Sequence, residues 1–337
     1  MDNRKLKVGI FGYGYMGKIR ERVALSHPQL ELMGIYDPKE TARQKITKCK
    51  AFSSANRLLE EAVDIIFVCT PNRFSPELVI EGLKQGKHVF CEKPPGRNVQ
   101  DIKNIIRYET KKTKLMFGFN HRFHPSFNKA KVIIDSKRMG GIINLRGTYG
   151  KSGGQYFLNS WRNDKEIAGG GILLDQGVHM LDLFRYFCGD FDYIKCFLSN
   201  FFWKAAVEDN AYVILQNKIG QTATLHSSST LWKHTFKLDI TLEEGYIAID
   251  GFLSKTGSYG REKLIVGKRQ FEDETTALGN PEEEITYFDQ DLSWEKEVEM
   301  FVKYIDENID VSMGSSQDAL KVMEMIEKAY HNAKQKE

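Results

Sequence analysis

Cysteine is scarce and scattered in this chain, with five residues (Cys49, Cys69, Cys91, Cys188 and Cys196), an odd number that contains no Cys-x-x-Cys pair. That pattern excludes a disulfide framework and reads as reduced thiols embedded in apolar segments. No His-x-x-x-His pair accompanies them, the nearest histidines being His121 and His124 at an element boundary, so no structural or catalytic metal is expected. An excess of charge of one sign is also missing. Lys+Arg number 48 against 45 Asp+Glu, and a net charge of +3 leaves no concentrated basic surface to follow a nucleic-acid backbone. No apolar run reaches membrane-spanning length, and residues 1–5 lead into a strand pattern rather than a signal h-region, so the expectation is a soluble, cytoplasmic protein with no membrane partner. Internal repeats and low-complexity tracts are lacking as well.

What is present begins at residue 6. Leu6-Lys7-Val8-Gly9-Ile10-Phe11 reads as a buried strand, and it runs into Gly12-Tyr13-Gly14-Tyr15-Met16-Gly17. Residues 16–27 follow as a helix and 30–36 as a second strand that ends in Asp37, a unit of βαβ dimensions. In such a turn Gly12 permits the tight strand-to-helix reversal, Gly14 lets backbone approach a pyrophosphate, and Gly17 brings the helix close to the sheet. Amides at the helix start then face phosphate charge. Asp37 sits where a carboxylate accepts hydrogen bonds from the adenosine ribose and repels a 2′-phosphate, which favours NAD. Lys39 and Arg43 lie close enough in sequence to meet such a phosphate, so NADP stays open.

A chain of 337 residues suggests two domains. Strands over 64–70, 88–92 and 115–120 alternate with helices over 76–85 and 99–112, which spells a doubly wound parallel sheet. Ser75 is expected as the N-cap of the first of these helices, with Pro76 at its first position. After about residue 122 the pattern changes to longer alternating strands over 142–149, 193–203, 211–217, 221–228 and 236–242, an antiparallel sheet with one face covered. Residues 254–284 read as hairpins and a long loop, and helices over 293–307 and 316–334 are candidates to pack back onto the first domain. The expected division is therefore a dinucleotide-binding domain over 1–122 and a substrate and oligomerisation α/β domain over 123–337.

Ligands of an open parallel sheet lie beyond the carboxyl ends of its strands. Three such ends carry polar sequence: Thr70-Pro71-Asn72, Glu92-Lys93-Pro94-Pro95 and Asn120-His121-Arg122. Lys93, leaving a buried strand before two prolines, has its stem held and can aim an ammonium at a substrate oxygen. Farther along, residues 172–184 form an apolar helix whose Asp175, His179 and Asp182 fall at i, i+4 and i+7, one polar stripe on a buried element. Buried charge is expensive without a partner or a task. A histidine near its ordinary pKa suits proton transfer to or from an alcohol as hydride moves, and Asp175 is placed to orient it or to bind a substrate hydroxyl. Ala168-Gly169-Gly170-Gly171 ahead of this helix is expected to leave a side-chain-free approach for substrate. Arg122 and Arg162 are candidates to meet a carboxylate or phosphate, Tyr156 and Trp161 to stack on a sugar face, and Lys151 to approach either.

With these residues assembled, the chain resembles the Gfo/Idh/MocA oxidoreductases, the family of glucose-fructose oxidoreductase and inositol dehydrogenase. The resemblance rests on Gly12-x-Gly14-x-x-Gly17, Thr70-Pro71-Asn72, Glu92-Lys93-Pro94, Trp161-Arg162 and Gly169-Gly170-Gly171-x-x-x-Asp175-x-x-x-His179-x-x-Asp182. It implies a Rossmann domain holding a nicotinamide cofactor and a C-terminal α/β domain whose open sheet often forms the oligomer interface, here of a homodimer or homotetramer. It further implies hydride exchange at a sugar, cyclitol or related polyol carbon, with Lys93, Asp175 and His179 around the reacting group and Asn120 among the substrate contacts. Thr70, Pro71, Asn72, Glu92, Lys93 and Pro94 would border the cofactor, with Glu92 and Lys93 at its nicotinamide half. Two other readings stay open: a glycosidase that uses tightly bound NAD, and a non-enzymatic sugar or cofactor sensor. The sequence departs from the family pattern at Phe74-Ser75-Pro76, where many relatives carry histidine, and at Pro95.

Overall fold

The computed structural model describes residues 4–154, 157–254 and 256–334. These fall into two compact units, one of residues 1–120, 166–169 and 294–321, the other of residues 121–165, 170–293 and 322–337.

The first unit is built on six strands: β1 (Leu6–Phe11), β2 (Leu30–Tyr36), β3 (Lys50–Phe52), β4 (Ile65–Val68), β5 (His88–Glu92) and β6 (Leu115–Gly118). All neighbours are parallel, in the order β3-β2-β1-β4-β5-β6. That is the doubly wound order, with the first crossover reversing between β1 and β4. Val8, Ile10 and Phe11 of β1 and all of β4 are fully buried, because helices cover both faces of such a sheet and its inner strands must be apolar throughout. The helix Ser75–Lys84 begins one residue earlier than expected, and Phe74 rather than Ser75 is its N-cap. Ser75 turns its hydroxyl back to the Thr70 carbonyl, 3.0 Å away, and so ties the helix start to the end of β4. The helix Val99–Ile106 is shorter than expected. Asn98 caps it by accepting from the Asp101 amide, and it stops where the apolar spacing gives out before the polar residues 109–112. In the same unit the helix Ser293–Asp306 places Phe301 edge-on against Phe90 of β5.

The second unit holds β7 (Ile142–Ser152), β8 (Tyr193–Ser199), β9 (Asn210–Gln216), β10 (Thr222–Ser228), β11 (Thr230–Leu242), β12 (Gly245–Asp250), β13 (Glu262–Lys268) and β14 (Glu283–Phe288). They form one sheet in the order β14-β13-β12-β11-β7-β10-β9-β8. Only β7 and β10 run parallel among its neighbouring pairs. Period-two alternation directs Ala211, Val213 and Leu215 of β9 inward and leaves Tyr212 and Ile214 more than half exposed. The helices Pro125–Asp135 and Val178–Cys188 lie on the inner face, where Met180 and Phe184 pack against Gly147 of β7. A parallel six-stranded sheet followed by a mainly antiparallel eight-stranded one is the fold class that the sequence predicts.

Candidate functional site

The carboxyl ends of β1 and β2 meet at the glycine turn. Gly12 has φ +91°, a value that disfavours any side chain, and a Cβ on Gly17 would overlap the Gly12 carbonyl. A Cβ on Gly14 would meet nothing within 4 Å, so this stretch of backbone borders open space at the N-terminus of the helix Tyr15–Ser26. That is the cradle a pyrophosphate needs. Tyr13 is buried and its hydroxyl donates to Glu21 at 2.8 Å. Burial and that bond push its pKa up to about 12, which keeps it a donor at neutral pH. Tyr15 is exposed and Met16 half-buried.

Asp37 is buried at the end of β2, and its two carboxylate oxygens accept from the backbone amides of Tyr13 (2.8 Å) and Lys39 (2.9 Å). Each oxygen keeps further acceptor capacity, so ribose hydroxyls fit a group already fixed in place. Arg43 donates to the carbonyls of Asp37 and Pro38, at 2.9 and 2.8 Å, and so buttresses this turn.

At the other strand ends the structure distinguishes framework from ligand-facing groups. The Thr70 hydroxyl lies 3.1 Å from that of Ser75, and the Asn72 amide donates to the Ala168 carbonyl at 2.7 Å, holding segment 166–169 against the Pro71 turn. Glu92, expected beside the cofactor, turns into the unit interior instead. Its carboxylate meets Arg20 at 2.6 Å, and Arg20 meets Glu297 at 2.6 Å, with Arg20 and Glu297 fully buried. Burial alone would lower the Arg20 pKa, but the two carboxylates outweigh it and hold the guanidinium charged. This network anchors the residue next to Lys93, which is half-buried and joined to a buried Pro94 by a cis peptide bond. Asn120, which ends the first of the three segments of the first unit, is half-buried where the turn Asn120–Phe123 begins.

The second unit gathers Asp175 and His179. Leu173–Gly177 is a π-helical turn that leads into the helix Val178–Cys188, so the expected uninterrupted stripe is broken between Asp175 and His179. Such π turns recur at functional sites because the inserted residue re-aims a side chain. Asp175 sits between two cations, Lys151 at 3.0 Å and Arg162 at 3.3 Å, and Arg162 lies over the ring of half-buried Trp161. His179 is 4 % exposed. Tyr156 lies outside the described residues.

Two expectations need correction here. Arg122, a candidate for a substrate anion, is buried and forms a two-pronged pair with Asp182, at 2.8 and 2.6 Å. The fork is matched to a carboxylate of the protein itself, so both residues are framework. The second correction concerns the three glycines, which are not an open approach. A Cβ on Gly170 would overlap the Tyr330 hydroxyl, and one on Gly171 would overlap the Glu208 backbone carbonyl. Glu208 accepts from the amides of Gly171 and Leu173, each at 3.0 Å, and from Tyr330 at 2.8 Å, which caps the segment bearing Asp175. Burial raises its pKa in spite of those donors.

Sequence reasoning missed Tyr149, Gln176 and Tyr259. The Gln176 amide donates to the Tyr259 hydroxyl at 3.0 Å, and burial, together with Tyr259 and Asp175, holds the Tyr149 phenol well above its usual pKa. Tyr259 is raised as well, first by burial. Both phenols stay protonated at neutral pH. Alternation in β7 marks Tyr149 only as inward-facing, and no sequence signal connects it with Tyr259.

Residues 6–121 match the family model described as "Oxidoreductase family, NAD-binding Rossmann fold", and residues 127–248 match the GFO/IDH/MocA C-terminal domain. Among curated relatives, the levoglucosan dehydrogenase of Pseudarthrobacter phenanthrenivorans is 29% identical over 221 residues, 58% of this chain and 54% of that protein, so the match spans about half its length. The myo-inositol 2-dehydrogenase of Thermotoga maritima is 29% identical over 264 residues, 74% of this chain and 77% of that protein. A solved structure of levoglucosan dehydrogenase in complex with NADH and levoglucosan superposes with a TM-score of 0.85 at 22% identity, covering 99% of this chain and 98% of that one.

Proposed function

The chain belongs to the Gfo/Idh/MocA oxidoreductase family, and on that premise we propose that it exchanges hydride between NAD and a hydroxyl-bearing carbon of a sugar, sugar derivative or cyclitol. The observation that carries this reading is Asp175, held between Lys151 and Arg162 four residues before the buried His179. Relatives named as levoglucosan and myo-inositol dehydrogenases support the substrate class. The residues placed to hold the cofactor are the glycine turn, Gly12 to Gly17, and Asp37, whose fixed carboxylate favours NAD over NADP. When bound, nicotinamide accepts or returns the hydride.

In the oxidising direction the substrate hydroxyl gives its proton to the His179 imidazole as its carbon loses hydride, so a carbonyl forms and charge balances. Asp175 orients the substrate hydroxyls, its own charge fixed by the two cations. Lys93 stabilises negative charge developing on the reacting oxygen, and the Arg20–Glu92–Glu297 network keeps its backbone in place. The exposed face of the second sheet, with Tyr193, Phe197, Tyr212 and Ile214 each more than half exposed, supports a homodimer or homotetramer. No helix among the described residues is long and apolar enough to cross a membrane.

The test is a panel of aldoses, glycosides and cyclitols supplied with NAD or NADP, read by formation of the reduced nucleotide. Reduction by at least one substrate, faster with NAD, is the expected result. Product that forms without added nucleotide from protein carrying its own NAD would replace this reading with the glycosidase. A panel with no turnover, together with sugar-dependent association with another protein, would replace it with the sensor.

A further inference from the structure

We propose that Tyr259 is a substrate-contacting residue, its hydroxyl donating a hydrogen bond to a second hydroxyl of the sugar or cyclitol whose first is held by Asp175. The inference rests on the dehydrogenase reading and deepens it, because the position of that second hydroxyl then decides which polyol is accepted. Tyr259 stands in the loop between β12 and β13, where Gly251, Gly257 and Gly260 all have positive φ. Residues 256–258, 260 and 261 of this loop are exposed, whereas Tyr259 is half-buried. Three rings hold it in place: His234 at 5.3 Å, Tyr149 at 5.6 Å and Phe252, edge-on, at 6.3 Å between centroids. His234 is itself fixed between the hydroxyls of Ser152, at 3.1 Å, and Ser258, at 2.9 Å.

Counting the bonds of the hydroxyl shows what it has left to give. A phenol offers one proton and two acceptor positions. The Gln176 amide takes one acceptor position, at 3.0 Å. Tyr149 acts on the same oxygen as a second donor, which favours the ionised form of Tyr259 and disfavours that of Tyr149. What remains is the O–H itself, and among the described residues Tyr259 donates it to none. Burial keeps the phenol protonated, so that donor is present at neutral pH.

The O–H stands beside the carboxylate that the proposed mechanism already uses. Gln176 follows Asp175 directly on the π turn Leu173–Gly177, and the Asp175 charge is felt at both phenols. The Asp175 side chain is 18% exposed between Lys151 and Arg162, themselves 28% and 46% exposed, so this group of side chains opens to solvent. Asp175 supplies acceptors and Tyr259 supplies a donor. A polyol hydroxyl both donates and accepts, so one hydroxyl gives its proton to Asp175 while another takes the proton of Tyr259. A donor fixed in this way discriminates against an analogue that lacks the matching oxygen, because the phenol is then left unpaired.

The experiment takes the panel sugar with the highest kcat/KM, together with its monodeoxy derivatives, and compares the full-length wild type with Tyr259→Phe. Phenylalanine keeps the ring and its three neighbours and removes only the O–H. For the parent sugar the variant should raise KM about tenfold, the worth of one such hydrogen bond, with the larger part of the effect in KM rather than kcat. On the one derivative that lacks the oxygen met by Tyr259, wild type and variant should have equal KM, while on the others the difference should persist. Gln176→Met removes the amide that fixes the hydroxyl, should give the same pattern at about threefold, and covers the case in which Tyr259→Phe does not fold. Unchanged KM in a folded variant overturns the proposal. So does a loss of equal size on every derivative, which is what a packing role alone produces. A panel in which the wild type turns over no sugar would overturn the dehydrogenase reading and this proposal with it.

Discussion

The two glycine-led segments look alike in sequence and differ in what faces them. At Gly12–Gly17 the middle glycine borders open space, whereas at Gly169–Gly171 every missing side chain is already replaced by protein: Arg97 at the first position, Tyr330 at the second and Glu208 at the third. In the first segment Gly12 and Gly17 serve the turn and its own packing, and Gly14 alone borders the space a ligand would enter. The second is glycine-rich because the protein approaches itself, and it does so to seat the segment that carries Asp175 and His179. A run of glycines before a helix therefore does not by itself indicate a ligand, and the space each Cβ would enter decides between the two meanings.

Substitution at the two segments should separate them. Gly171→Ala drives a methyl into the Glu208 backbone, which no side-chain rotation relieves. The expected cost is about 3 kcal/mol of stability, at the upper end for overpacking, read from the denaturant midpoint of the purified variant. Gly14→Ala is the converse. The backbone there has φ −75°, which alanine adopts freely, and the added methyl meets no protein atom. Its stability should stay within about 1 kcal/mol of wild type, while NADH affinity, followed by fluorescence titration, weakens on the order of tenfold. Wild-type NADH affinity in Gly14→Ala, or wild-type stability in Gly171→Ala, would erase the contrast.

The smallest effect concerns the carboxylate that closes the second segment. The folded-state pKa of Glu208 is raised above its ordinary 4.5 by burial. The folded protein thus holds that proton more tightly than the unfolded chain, and the resulting stability is complete below about pH 4.5 and lost as pH rises through the folded value. Glu208→Gln keeps an oxygen for the Gly171 and Leu173 amides and has no proton to lose. The wild type should lose stability relative to this variant as pH rises from 4.5 towards neutrality, measured as the difference in denaturation midpoints. A wild-type curve parallel to that of the variant would show that the Glu208 donors fully offset its burial.

Much of the fold was legible because it depends on local period. β5 and the helix Ser316–Lys334 fall where the sequence places them, and the shift from buried runs to alternating strands marks the passage from one sheet to the other. The errors arise where a partner distant in sequence decides. Asp182 and Arg122 are 60 residues apart, and Glu92 and Arg20 are 72 apart, so neither pairing leaves a trace in spacing. The same holds for Glu208 against Gly171, and for the π turn at Leu173–Gly177, whose extra residue is a matter of packing rather than of residue type. Lys93, Asp175 and His179 could be singled out because charge on buried elements is conspicuous. The supporting tyrosines could not, since aromatic residues on inward faces are ordinary core.

The central claim is that His179 moves the proton that accompanies hydride transfer, and its most direct test is turnover of His179→Ala on a substrate found active in the panel, measured beside NADH affinity. The account predicts a fall in kcat of at least about 10²-fold with NADH binding unchanged. Wild-type turnover in this variant would contradict it.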